Sequence, residues 1–161
     1  HGLKAISLIR DQVKGANIGV GTVCNATEFD AAVDAGANFV VSPGQSDALF
    51  ERALLTNIPF LPGAVTATEV MAAKEAGFSV LKFFPASTSG GAAAIKAFAG
   101  PFADLQFVPT GGINLDNAGS YLSLSNVRAV GGSWLTPADA IQNGQWEQIT
   151  QIAREASQLG V

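Results

Sequence analysis

Lys82 is the residue of this chain best suited to covalent chemistry. It interrupts Val80-Leu81-Lys82-Phe83-Phe84-Pro85, a run that is otherwise apolar. If the run is a strand, alternation puts Lys82 on the face shared with Val80 and Phe84. A lysine held there loses hydration, and desolvation lowers its pKa. A neutral amine near pH 7 attacks ketones and forms Schiff bases. The competing reading is a lysine at a strand end that snorkels to water.

Two glycine turns suggest a second chemistry, the holding of a phosphate. Thr110-Gly111-Gly112-Ile113 and Gly131-Gly132-Ser133-Trp134 each follow a strand-like run and precede a helix start, at Asn114 and Thr136. Glycines let backbone N–H groups approach an anion, and helix N-termini add a favourable dipole. One Gly-Gly alone also serves a tight turn. Two in consecutive units make the stronger case. Gly21-Thr22 and Ser42-Pro43-Gly44 would add small groups, although turn chemistry alone explains both.

The inventory excludes other machinery. Cys24 is the single cysteine and His1 the single histidine. That rules out a histidine-based triad, a disulfide framework and a metal centre of His or Cys type, so no metal is expected. Formal net charge is −4. No Lys/Arg cluster is available to follow a phosphate backbone, so nucleic acid is not expected as a partner. No run approaches the roughly 18 uncharged apolar residues that span a bilayer. Residues 1–10 do not read as a signal peptide. The expectation is a soluble, cytoplasmic protein without a membrane partner.

The elements that must position these groups alternate along the chain. Leu3, Ile6, Ile9 and Val13 recur at helical spacing. Strands are expected at 18–22, 38–42, 59–63, 79–84, 105–110 and 127–131. Helices fall between them. Asn25 with Glu28, and Thr66 with Glu69, read as capping boxes, and Gly36 and Gly77 as helix stops. Residues 46–56, 91–99 and 114–121 are further helices. Thr136-Pro137 starts the last helical segment, which ends with residues 146–159. Such βα repetition within one domain of 161 residues means a parallel sheet, open or closed into a barrel. Gly, Pro, Ser and Thr follow nearly every strand. That favours a (β/α)8 barrel, whose strands all open onto one mouth, over a doubly wound sheet with one switch point. Six strands are visible where a barrel needs eight, so the first two βα units are expected to be missing from the front.

Taken together, Gly19-Val20-Gly21-Thr22-Val23, the segment 35–44 ending Val41-Ser42-Pro43-Gly44, Pro62-Gly63, Leu81-Lys82-Phe83-Phe84-Pro85-Ala86, Gly100-Pro101-Phe102, Pro109-Thr110-Gly111-Gly112-Ile113 and Gly131-Gly132-Ser133-Trp134-Leu135 resemble the 2-keto-3-deoxy-6-phosphogluconate (KDPG) / 4-hydroxy-2-oxoglutarate (KHG) aldolase family. The pieces run through nearly the whole chain. The resemblance implies a (β/α)8 barrel, usually a homotrimer. It implies reversible cleavage of a small phosphorylated keto acid, KDPG, to pyruvate and D-glyceraldehyde 3-phosphate. By position, Lys82 resembles the Schiff-base lysine, and Thr22, Pro43, Phe84 and Thr110 resemble residues around the pyruvyl moiety. Gly111, Gly112, Gly131, Gly132 and Ser133 resemble the phosphate site. No metal or organic cofactor is implied, because the protonated imine is itself the electron sink.

The chain departs from the family in one respect. Family members carry a proton-shuttling glutamate and a carboxylate-holding arginine at and just after the second barrel strand, which would precede His1. The acidic residues here fall in helices, at helix starts or, for Asp104, just before a strand. Arg128 is expected at the entry of its strand, the wrong end. Two other readings follow: a phosphosugar-binding barrel of different chemistry, or an inactive truncated barrel acting as an assembly module.

Overall fold

The computed structural model describes residues 2–159, so His1 lies outside them. Within those residues the chain forms two compact units, one ending at Lys82 and one beginning at Phe83.

The first unit contains α1 (Gly2–Gln12), β1 (Gly19–Val20), α2 (Ala26–Asp34), β2 (Phe39–Val41), α3 (Asp47–Thr56), β3 (Phe60–Leu61) and α4 (Ala67–Glu75), and runs into β4 (Val80–Phe83). Strands β1, β2 and β3 are adjacent in that order and parallel, with Gly19 opposite Phe39 and Val40 opposite Phe60. A parallel bridge joins Gly63 to Lys82. Parallel neighbours require a crossover, and helices α2 to α4 supply them.

Short polar side chains start those helices. Asn25 accepts the Glu28 N–H at 2.9 Å, and Ser46 accepts the Leu49 N–H at 3.3 Å. Thr66 and Glu69 form a full capping box, with the Glu69 carboxylate also taking the Val65 N–H. Just past α2 and α4, Gly36 and Gly77 adopt φ of 102° and 93°, a conformation that costs glycine nothing. The apolar faces bury Phe29, Val40, Leu49, Val70 and Leu81. Phe60 packs edge-on against both Phe29 and Phe78.

The second unit continues with a 3-10 turn (Ser87–Ser89), α5 (Gly91–Phe98), β5 (Gln106–Pro109), α6 (Leu115–Leu122), a 3-10 turn (Ser133–Leu135), α7 (Ala138–Gln142) and α8 (Trp146–Ala156). The Thr110 N–H donates to the Phe83 carbonyl at 2.9 Å. Phe83, Phe98 and Phe107 form the aromatic centre of this unit, with the Phe98 and Phe107 rings stacked 5.6 Å apart. Asn126, buried, donates its amide to the Ile95 carbonyl at 2.8 Å.

The sixth expected strand, 127–131, is not a continuous one. It meets β5 and Thr110 only through isolated parallel bridges, Phe107 to Val127 and Thr110 to Gly131. Its start does bond to β5, the Phe107 N–H donating to the Asn126 carbonyl at 2.8 Å and the Arg128 N–H to the Phe107 carbonyl at 3.0 Å, while the Val127 N–H goes to the Leu124 carbonyl at 3.0 Å. The architecture is α/β with parallel strands. Among the described residues no helix is long and apolar enough to cross a membrane.

Candidate active site

Strand β4 carries Lys82 as the alternation requires. Leu81 and Phe83 are fully buried, while Val80 and Lys82 on the other face are half-buried. The Lys82 backbone is fixed on its first-unit side, donating its N–H to the Pro62 carbonyl at 2.8 Å and accepting the Ala64 N–H at 2.9 Å. Burial pushes the Lys82 amine below its ordinary pKa, and a smaller electrostatic interaction with Cys24 opposes that shift. The direction is the one a Schiff-base lysine needs, because more of the amine is neutral at a given pH.

Two other candidates belong to the first unit. Thr22 follows β1 and adopts φ of 61°, a left-handed conformation that a β-branched residue takes only when its surroundings force it. The Val23 N–H, held by the Val41 carbonyl at 3.2 Å, pins the chain immediately after it. Pro43 follows β2, and its carbonyl lies against Gly63, the residue that bridges to Lys82. A cavity of about 500 Å³ runs along β1, lined in part by Leu3, Ile6, Val20, Thr22 and Val23. Thr22 is the only one of the expected site residues on its wall. The cavity is mostly apolar and marks the open flank of β1 rather than the surroundings of Lys82.

In the second unit the two glycine turns differ: Gly132 is extended, with φ of −162°, whereas the first turn is left-handed. Gly111 and Gly112 both have positive φ, 96° and 74°. A Cβ on Gly111 would meet the Phe84 ring at 3.2 Å, and one on Gly112 would overlap the Ser87 side chain. Thr110 pairs with Gly131, where an added Cβ would lie 3.1 Å from the Thr110 hydroxyl oxygen. At Gly132 an added Cβ would overlap the Trp134 ring. Phe84, Thr110, Gly111 and Gly131 are thus neighbours, while Ser133 opens the following 3-10 turn and is exposed. Asn114 caps α6 with bonds from the Asp116 and Asn117 N–H groups, as its spacing predicts.

Three residues enter that sequence reasoning left aside. Gly63 appears in the Pro62-Gly63 pair, but nothing in its type announces the contact with Pro43. Ser87 lies against Gly112, and its signal was only its place just after Pro85-Ala86. Glu28 takes the Cys24 N–H on its carboxylate at 2.7 Å, which brings an acid to the C-terminal side of β1. Its bond makes it a cap for α2. Arg128 stands at the entry of its run, bonded to Gln106 at the start of β5, as expected. Among the described residues no group of three or more His, Cys, Asp or Glu could hold a metal.

Comparison with known proteins gives consistent matches. The family described as "Aldolase: KDPG and KHG aldolase" matches residues 1–152. The 2-dehydro-3-deoxy-phosphogluconate aldolase of Pseudomonas aeruginosa is 46% identical over 156 residues, 97% of this chain and 71% of that protein. The KHG/KDPG aldolase of Escherichia coli K12 is 44% identical over 152 residues, 94% of this chain and 71% of its own length. Among solved structures, the KDPG aldolase of Legionella pneumophila, with pyruvate captured as a covalent carbinolamine, superposes with a TM-score of 0.94 at 40% identity. The match covers 96% of this chain and 75% of that one.

Proposed function

The chain belongs to the KDPG and KHG aldolase family, and from that premise we propose that it is a class I aldolase that cleaves KDPG reversibly to pyruvate and D-glyceraldehyde 3-phosphate through an imine on Lys82. The observation that carries the reading is the half-buried amine on an apolar strand, with its pKa lowered by desolvation. The relative from Legionella pneumophila, whose structure holds pyruvate as a carbinolamine, supports covalent chemistry of this type.

The chemistry runs in four steps. The neutral Lys82 amine adds to the C2 ketone and the carbinolamine loses water to give a protonated imine. A base takes the C4 hydroxyl proton, the C3–C4 bond breaks, and its electrons pass to the imine nitrogen. The aldehyde leaves as D-glyceraldehyde 3-phosphate, and the remaining enamine is protonated at C3. Water then hydrolyses the imine, releasing pyruvate and restoring the amine. A positioned base typically contributes about 10²–10⁴-fold. The family resemblance implies that this base is a glutamate, paired with an arginine for the substrate carboxylate, at and just after the second barrel strand. Glu28, bonded as a cap, does not replace it.

The remaining roles are assigned residue by residue. Thr22, Pro43, Phe84 and Thr110 contact the pyruvyl part. Gly111, Gly112, Gly131, Gly132 and Ser133 hold the phosphate, a reading supported by the two successive left-handed glycines, Gly111 and Gly112. The fold we propose is a (β/α)8 barrel forming one domain, as a homotrimer in the cytoplasm. The βα alternation supports the barrel.

A coupled assay tests the activity. KDPG should release pyruvate, and inorganic phosphate should compete with KDPG more strongly than with pyruvate in the reverse direction. Absence of both pyruvate release and a borohydride-trapped pyruvate adduct from folded protein, at every pH from neutral to that of a free lysine, would overturn the assignment.

A further inference from the structure

Gly63 is held between two of the residues assigned to the pyruvyl site. On one side it bridges in parallel to Lys82, flanked by the Lys82 N–H to Pro62 carbonyl bond of 2.8 Å and the Ala64 N–H to Lys82 carbonyl bond of 2.9 Å. On the other it donates its own N–H to the Gly44 carbonyl at 2.9 Å. A Cβ at position 63 would lie 2.6 Å from the Gly44 nitrogen and closer still to the Pro43 carbonyl carbon and oxygen. All three atoms are backbone, so none can rotate away.

The glycine is not there for its torsion angle. Its φ lies outside the left-handed region, unlike that of Gly36 or Gly111. What the position requires is the missing side chain, because the segment after β2 rests directly on the backbone that carries Lys82. That segment is otherwise braced locally. Ser42 is buried, and its hydroxyl accepts the Gly44 N–H at 3.3 Å. Gln45 donates its side-chain amide to the Glu69 carbonyl in the first turn of α4 at 2.8 Å. A shift at Pro43 therefore has little room to be absorbed within the loop, and it changes the distance from Pro43 to the Lys82 strand.

We infer that Gly63 is a positioning residue for imine formation: by lacking a side chain it sets the spacing between the Pro43-Gly44 backbone and the Lys82 strand. This rests on the Schiff-base reading of Lys82. Gly63 touches no substrate atom. It acts through Pro43 and Lys82, and its effect belongs to the orientation of the carbonyl relative to the amine.

Gly63→Ala tests this, with Ala73→Gly in α4 as a comparison of reduced stability at a fully buried helix position away from the loop. The readouts are the rate of borohydride-trapped pyruvate adduct on folded protein, its dependence on pyruvate concentration, and its dependence on pH. Gly63→Ala should slow trapping at saturating pyruvate at least about tenfold, since a displacement on the order of an ångström can cost up to about 10²-fold. The pH midpoint of trapping should stay in place, because the burial of Lys82 is retained. Ala73→Gly should lose stability but keep the parent trapping rate. Parent-like trapping by folded Gly63→Ala would overturn the inference. If the parent protein itself traps no pyruvate, it is the Schiff-base reading that fails, and the two failures are separable. Should Gly63→Ala not fold, hydrogen exchange at the Gly63 amide decides the matter in the parent protein. Trapping pyruvate on Lys82 should slow that exchange several-fold, and unchanged exchange would overturn the inference.

Discussion

At Lys82 two requirements oppose each other. An ammonium group wants water, while a nucleophile for ketones must give up its proton. The strand resolves this by turning Leu81 and Phe83 to the fully buried face and leaving Lys82 half-buried on the face it shares with Val80. Because burial lowers the folded-state pKa below the unfolded value, the folded chain binds fewer protons in the interval between the two. Stability contributed by this group therefore rises as pH increases through that interval, and the charged lysine costs stability below it. The same shift predicts that pyruvate trapping rises with pH to a midpoint below about 10.4, the usual lysine value. A midpoint at or above that value would show that burial does not tune this amine. Lys82→Arg keeps the charge and removes the nucleophile. It should abolish the adduct and lower turnover by roughly 10⁴-fold or more, as losing a nucleophile does elsewhere.

Thr22 makes a second case at the same scale. Its φ of 61° is costly for a β-branched side chain. Thr22→Gly should relieve about 1 kcal/mol of that strain net of the entropy glycine adds to the unfolded chain. Thermal melting should move upward by a few degrees, while KM for the keto acid rises because the hydroxyl is gone. A lower melting temperature would contradict the strain.

Among the elements, what could be read from sequence was what local chemistry decides. The Thr66-x-x-Glu69 spacing became a full capping box, and Gly36 and Gly77 ended their helices. Thr66→Ala should cost about 1 kcal/mol in chemical denaturation, since it removes the acceptor for the Glu69 N–H. What could not be read was set by contacts distant in sequence. The run 127–131 has the composition of a strand, yet it meets the neighbouring chain only at two isolated bridges, Phe107 to Val127 and Thr110 to Gly131. Gly63 looks like any glycine beside a proline until Pro43 is placed against it. Glu28 was legible as a cap from its spacing, but the placement of its carboxylate behind Cys24 was not. The candidate residues that stood out in the sequence, Lys82 and the Gly111-Gly112 pair, are those whose type is unusual for their surroundings.

For the molecule as a whole, each unit has its own aromatic centre. Phe29, Phe60 and Phe78 serve the first, and Phe83, Phe98 and Phe107 the second. Phe107 is fully buried. Phe107→Ala should cost about 3–5 kcal/mol, which is a large fraction of the total stability of an ordinary domain. A loss under about 1 kcal/mol would mean the second unit is packed more loosely than its rings indicate. Light scattering of the purified protein tests the homotrimer, for which a mass near three chains is the expected result and a monodisperse monomer the contrary one.

The central claim is that Lys82 forms a covalent imine with a 2-keto acid, and borohydride reduction in the presence of pyruvate tests it most directly. Intact mass followed by peptide mapping should show one reduced pyruvyl adduct per chain, located on Lys82 and absent from Lys82→Arg. Folded protein with no adduct, or with an adduct on another lysine, would contradict the account.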